Sequence, residues 1–318
     1  MILSLNLSPE LNQLNFKSLF MKKFFKLASL FFLGLIFVVA CKKETPLPTA
    51  SFTATVNDGT VTFSAVVTND SKYEWDFGDG SYINTLHAPV HTYIQSATPT
   101  NIIVSLTIKG PGGEVTVKNT IIIPAKTKMQ YLTGGKDGSS SRKWRLSSNA
   151  TSFTITYANA GFTQLGSYPG GILANVGLAK AYGDEFEFKG DGTMSINSKG
   201  GGIFASMAYC MGTNTPMAVY YAPVGLAYTA SFTPPTGATF AINENKNYVL
   251  STPLGDVTYS GVMTLSFTNG GFLGFKDFTS ECIIKRLTDT QMDAVLFYAN
   301  PQYGPQPILA LLVTFEAL

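Results

Sequence analysis

Tyr73-Glu74-Trp75-Asp76-Phe77-Gly78-Asp79-Gly80 alternates in side-chain character and then breaks into a glycine-flanked turn. In a strand, Tyr73, Trp75 and Phe77 fall on one face, and Gly78-Asp79-Gly80 reverses the chain because glycine accepts positive φ. The flanking sequence repeats this grammar. Ser51 to Val56 reads as a strand ended by Asn57-Asp58-Gly59, and Thr60 to Val67 as a second strand ended by Asn69-Asp70-Ser71. Asn101 to Lys109 and Glu114 to Ile123 form a later hairpin around Gly110-Pro111-Gly112-Gly113. About seven short strands within roughly 75 residues predict an immunoglobulin-like sandwich over residues 50–125.

The same stretch, followed by His91-Thr92-Tyr93, resembles the signature of the PKD domain over about residues 48–125. That resemblance implies a β-sandwich with Trp75 in its core and an Asp-Gly pair shaping a hairpin. His91 and Tyr93 would then lie near the start of a later strand, in the scaffold and not in a catalytic site. PKD modules act as spacers or binding modules beside another domain. Asp76 and Asp79 have two readings, calcium ligation or turn chemistry. The acidic positions and terminal Glu of an EF-hand loop are missing, which favours the turn.

Ahead of this region, Lys22, Lys23 and Lys26 precede an apolar run, Leu27 to Ala40, that ends at Cys41. The run falls short of the roughly 20 residues a spanning helix needs. It fits the apolar core of a secretory signal over residues 1–40, with Met21 as a second candidate start. Val38-Val39-Ala40-Cys41 resembles a bacterial lipobox. This implies cleavage before Cys41, acylation of its thiol and an outer-membrane lipoprotein of the cell envelope, on the periplasmic face or the cell surface. Residues 41–49 would be the lipidated tether.

Without residues 1–40, 18 basic and 19 acidic residues remain, a net charge of −1 where the whole chain has +2. The basicity belongs to the signal, and no electrostatic case for nucleic acid survives. Low charge with 23 phenylalanines, 15 tyrosines and 30 glycines suits an all-β extracellular protein. Beyond Cys41, Cys210 and Cys282 form an even pair, either a disulfide in an oxidising compartment or two separate buried thiols. His87 and His91 sit in no metal-ligand spacing, and no cofactor motif is present.

Residues 126–142, rich in Gly, Ser and Lys, read as a polar linker. Residues 143–318 alternate again and predict a larger antiparallel β-sandwich, jelly-roll-like or lipocalin-like. Asp184 to Phe188 and Thr193 to Ile196 flank a Gly190-Asp191-Gly192 turn. Val262 to Phe267 and Phe272 to Phe275 repeat the device around Asn269-Gly270-Gly271. Leu132 to Leu146, Phe186 to Gly192 and Ile284 to Asp289 are similar to a C-terminal domain of lipoproteins in bacterial polysaccharide-uptake systems.

Aromatic side chains can stack on sugar rings. Tyr168, Tyr209, Tyr220, Tyr221 and Tyr228 are the candidate ligand-binding residues, with Tyr182 and Tyr303 as further tyrosines of the region. The span from Tyr209 to Tyr228, with two prolines and few charges, reads as a long loop. Glu185 and Glu187 share one strand face, which suits a solvated surface better than the opposed carboxylates of a glycosidase. With both histidines in the first domain, a Ser-His-Asp triad cannot form within the larger one. The expectation is a non-catalytic envelope protein whose partner is a polysaccharide or another envelope protein. A polysaccharide-degrading enzyme and an adhesive protein without a small ligand are the alternatives.

Overall fold

The computed structural model describes residues 44–318 apart from 71, 136–137, 150–152 and 219–226. Two compact units form. The first runs to Gln95 and resumes over Pro99–Pro124; the second holds Ser96–Thr98 and Ala125–Leu318. Among the described residues no helix is long and apolar enough to cross a membrane.

Among the described residues the first unit has six strands: β1 (Thr49–Asn57), β2 (Thr60–Thr68), β3 (Lys72–Asp76), β4 (Val90–Thr92), β5 (Thr100–Gly110) and β6 (Gly113–Ile123). They build two antiparallel sheets, β1-β2-β4 and β3-β5-β6. Alternation sets the faces. Val61, Phe63 and Ala65 of β2 point inward, and so do Val104, Leu106 and Ile108 of β5. Trp75 is fully buried between the sheets, 5.1 Å from Phe52 and 5.3 Å from Phe63 between ring centroids. Its indole N–H donates to the Leu86 carbonyl at 2.9 Å, which satisfies the one polar atom the ring carries inside.

The second unit adds β7 (Ser141–Leu146), β8 (Phe153–Tyr157), β9 (Gln164–Tyr168), β10 (Glu185–Lys189), β11 (Met194–Asn197), β12 (Gly202–Ser206), β13 (Met217–Ala218) and β14 (Ala227–Ser231). The long strands follow: β15 (Thr239–Thr252), β16 (Gly255–Thr268), β17 (Glu281–Leu287), β18 (Gln291–Ala299) and β19 (Pro307–Ala317). Its main sheet runs β11-β10-β7-β19-β18-β17-β16-β15, with the β8-β9 hairpin on β19 beyond β7. The sheet curls until its first and last strands meet. Met194 N–H donates to Ala238 O at 2.9 Å and Phe240 N–H to Gly192 O at 3.0 Å, around the Thr193–Thr239 bridge. Of the two shapes expected, this meander with touching edges is the lipocalin-like one, and the contact shields edges that would otherwise be open to foreign strands.

The inner core gathers Trp144, Phe186, Phe188, Leu265 and Phe315. A second cluster, with Tyr248, Tyr259, Val295 and Phe297, lies on the other face. Strand β18 serves both: Leu296 and Tyr298 join the first cluster, Val295 and Phe297 the second. A strand covered on both faces reads as an unbroken apolar run, as 294–299 does.

Two expectations are corrected here, and the open choice between a disulfide and two buried thiols falls to the thiols. Residues 126–142 open the second unit instead of linking two domains. Helix α1 (Lys128–Thr133) lies there, closed by a Thr127/Gln130 capping box and by Gly134 at φ 81. Its Leu132 is fully buried and accepts the Trp144 indole N–H at 2.8 Å. Phe272 to Phe275 is no strand. It belongs to a loop from Asn269 to Ser280 folded into the core, where Gly274 adopts φ +64 and a Cβ would lie 2.4 Å from the Phe315 ring. Cys210 and Cys282 are not bridged. Each is a free, buried thiol of the second unit.

Candidate functional site

The motif of the first unit is built from its own turn. Asp76 Oδ1 accepts the Gly78 N–H at 2.9 Å, and Asp79 Oδ1 accepts the Ser81 N–H at 3.1 Å. Gly78 sits at φ +75 with space for a Cβ filled by the Ile103 carbonyl, 2.2 Å away. Asp79 Oδ2 lies 2.7 Å from His91 Nε2, and the His91 ring stacks on Phe77 at 4.1 Å. Tyr93 Oη donates to the Phe77 carbonyl at 3.0 Å. Burial alone would raise the Asp79 carboxyl, but the hydrogen bonds from His91 and Ser81 outweigh it and bring it down to about 2. These residues clamp β4 to the end of β3. Among the described residues, no three metal-ligating side chains converge.

The acids of the hairpin β10-β11 divide into two kinds. Glu185 lies between Lys143 at 3.2 Å and Lys199 at 3.1 Å, and Glu187 accepts from Ser195 Oγ at 3.0 Å. Both are paired with neighbouring side chains. Asp184 is buried, and neither of its oxygens finds a well-formed hydrogen bond. Burial outweighs what little the Lys199 backbone amide offers and pushes this carboxyl up to about 7.

Two further short helices are α2 (Ile172–Asn175) and α3 (Met207–Thr213). A cleft of about 250 Å³ opens where the small sheet β12-β14-β13 meets helix α3 and the Asn269–Ser280 loop. The lining comprises Ile203, Tyr209, Thr215, Ser231, Phe232, Thr233, Pro235, Gly270 and Lys276. Ser206 caps α3 by accepting the Tyr209 N–H at 3.0 Å, which fixes the first turn and hence the Tyr209 ring. Lys276 is stapled to β12: its N–H donates to Phe204 O at 2.8 Å and its carbonyl accepts the Ser206 N–H at 3.0 Å. The Lys276 ammonium lies 5.1 Å from the Phe272 ring centroid and 5.6 Å from that of Tyr209. Burial draws its pKa downward, against the opposing pull of Asp277.

Asp277 makes no ion pair with the cleft's cation and spends its oxygens on the backbone. Its Oδ1 accepts the Phe278 N–H at 2.6 Å and its Oδ2 the Ala299 N–H at 2.8 Å, so it ties the loop to β18. Burial raises the carboxyl to about 6 despite these bonds. Near it, burial holds the Cys210 thiol up at about 11, far from a reactive thiolate.

Among the sequence-predicted tyrosines that the structure describes, Tyr209 alone lines this cleft, and it does so from a helix where a loop was expected. Tyr168 packs half-buried against the inner core, and Tyr228 donates to Met207 Sδ at 3.7 Å. Tyr182 accepts the Leu173 N–H at 3.2 Å, and Tyr303 ends a short 3-10 turn, Pro301–Tyr303. Cys41, Tyr220 and Tyr221 lie outside the described residues. Lys276 and Phe232 escaped the sequence reading. The available signal was the charged pair Lys276-Asp277 inside the otherwise apolar Phe272–Phe278, which a solvent-free strand would not carry.

The PKD domain family matches the chain over residues 43–123. Two solved structures are similar to about a quarter of the chain. The PKD1 domain of Vibrio anguillarum Epp is 24% identical, with 26% of this chain and 100% of that one covered and a TM-score of 0.24. The PKD1 domain from Vibrio cholerae metalloprotease PrtV is 27% identical, with 25% and 100% covered and a TM-score of 0.23. No curated protein matches the chain. The first unit is thus a PKD domain, as the residues 73–80 and 91–93 suggested.

Proposed function

We propose, from the premise of a PKD domain over residues 43–123, that this chain is a non-catalytic, lipid-anchored cell-envelope protein whose curled sheet unit binds glycan. The PKD domain serves as the spacer between an acylated Cys41 and the receptor. Tethering of this kind raises the effective concentration of a receptor at the surface it serves. The observation that carries the reading is the cleft at Tyr209. It combines two aromatic rings, Tyr209 and Phe232, with the hydroxyl-bearing Thr215, Ser231 and Thr233. Apolar faces with a few placed polar groups are what a sugar ring needs. Among the described residues the lining holds no carboxylate, which favours binding over glycoside hydrolysis, a reaction that requires two flanking acids.

Affinity electrophoresis of residues 42–318 through gels containing soluble polysaccharides tests this. At least one polymer should retard the protein, and Tyr209→Ala should weaken that retention by about tenfold, the scale of one lost aromatic contact. A wild-type chain that migrates unchanged through neutral and acidic polymers alike would remove the glycan reading and leave an adhesive role. Release of reducing sugar would restore the enzymatic alternative.

A further inference from the structure

The cation in the cleft makes no direct ion pair among the described residues, and its charged neighbour Asp277 acts on it only at a distance. Lys276 is half-buried as a residue, and its ammonium, at the exposed side of the cleft, donates to the Gly270 carbonyl at 3.3 Å, long for a charged donor. No carboxylate among the described residues lies within ion-pair distance of it, whereas Lys109, Lys143, Lys199 and Lys246 each have one. Its sequence neighbour, Asp277, turns both oxygens to backbone amides. The backbone leaves little freedom to seek another partner, because Lys276 is bonded to β12 on both sides. A partly desolvated lysine held in this way, with its charge offset only at a distance by Asp277, gains from a direct anionic partner.

Resting on the glycan-binding reading above, we propose that the cleft selects an acidic sugar, with a uronate carboxylate on Lys276 and the pyranose ring against Tyr209. The charge count argues for a monoanion. One cation neutralises one carboxylate, while a dianion would keep an uncompensated charge in a partly desolvated site. The size argues for a single ring. About 250 Å³ lies below the range of roughly 300–1,000 Å³ of pockets that enclose drug-sized ligands. Phe232 and Pro235 offer apolar contact beside Tyr209, and the hydroxyls of Ser231 and Thr233 supply neutral hydrogen-bonding groups. The same lining would leave a neutral sugar's binding unaided by the charge.

The test compares polymers that differ only in charge. The full chain, solubilised in detergent, is run against polygalacturonate, alginate and fully methyl-esterified polygalacturonate at low and at raised salt. Retention by at least one of the two acidic polymers, falling at least about tenfold for its ester or neutral counterpart and weakening with salt, is the expected result. Lys276→Met, which keeps most of the stem, should lose the acidic preference with an unchanged melting temperature. The wild-type comparison of acid and ester stands even if that variant fails to fold. Retention by neutral polymers without preference for acid overturns the uronate inference and leaves glycan binding in place. Retention by nothing at all overturns both.

Discussion

Asp79 of the PKD domain stands in an exposed turn and Asp184 of the larger unit is buried at the start of a hairpin, and the chain holds the two acids in opposite ways. Asp79 meets the Ser81 amide and His91, and its carboxyl drops to about 2. Asp184 meets no well-formed hydrogen bond, and burial lifts its carboxyl to about 7. The difference teaches where each unit draws its order. In the small unit, polar groups of the motif close on one another and fix the strand ends. In the large unit the apolar interior dominates, and it tolerates an acid that works against it. The two tryptophans show what the units share. Trp75 and Trp144 are both fully buried, and each gives its indole N–H to a backbone carbonyl.

The largest effect should come from removing the shared device on one side. Trp75→Ala deletes the centre of the PKD core, and losing a buried aromatic of this kind costs about 3–5 kcal/mol. Chemical denaturation followed by far-ultraviolet circular dichroism should show the PKD transition moved to lower denaturant and the larger unit's transition in place. A variant that shifts both transitions together would contradict two separate cores.

Asp184→Asn probes the opposite treatment. An acid whose folded pKa stands above its unfolded value keeps its proton longer when folded. Stability therefore falls as pH rises from near 3.8, the unfolded value, through about 7, and then levels off. The amide cannot ionise, so the variant should be more stable than the parent at pH 8 by roughly 2–4 kcal/mol, at 1.36 kcal/mol per pKa unit. The gain should shrink as pH approaches 4. Thermal melts at pH 4.5, 6 and 8 measure it, and a constant difference across the three would mean that Asp184 is already charged and solvated.

The contrast extends to what the sequence disclosed. The PKD fold was legible from Tyr73 to Gly80 because its information is local: a period-two alternation, a glycine required by positive φ and an aromatic that fills the core. The β10-β11 hairpin was legible for the same reason, its turn chemistry being local to Gly190-Asp191-Gly192. Phe272 to Phe275 misled, since an apolar run reads alike whether it extends a sheet or plugs one. What distinguishes them is Phe315, forty residues or more away, packed on Gly274. Helix α1 was hidden by its length. Six residues give too little periodicity, and the capping box that stabilises it looks polar and loop-like. The cleft was half visible. Tyr209 stood among the candidates by residue type alone, while Lys276 reaches it only through a bridge to Ala205 that no local pattern encodes.

The smallest effect sharpens the comparison most. Asp79→Asn keeps the oxygen that accepts the Ser81 amide and removes the charge facing His91, so it isolates the pair from the turn. A carboxyl with a depressed folded pKa contributes stability above its unfolded value near 3.8, and this contribution is lost as pH falls towards about 2. The pair retains some contact with water, which screens it, so the variant should cost the PKD domain only about 1 kcal/mol at pH 6. At pH 2 wild type and variant should unfold together. Acid titration of both, followed by the Trp75 environment in near-ultraviolet circular dichroism, separates the outcomes. An acid limb unchanged by the substitution would mean that the hydrogen-bonded turn, and not the carboxylate charge facing His91, holds β4 in place, and the two acids would then differ in partners but not in electrostatics.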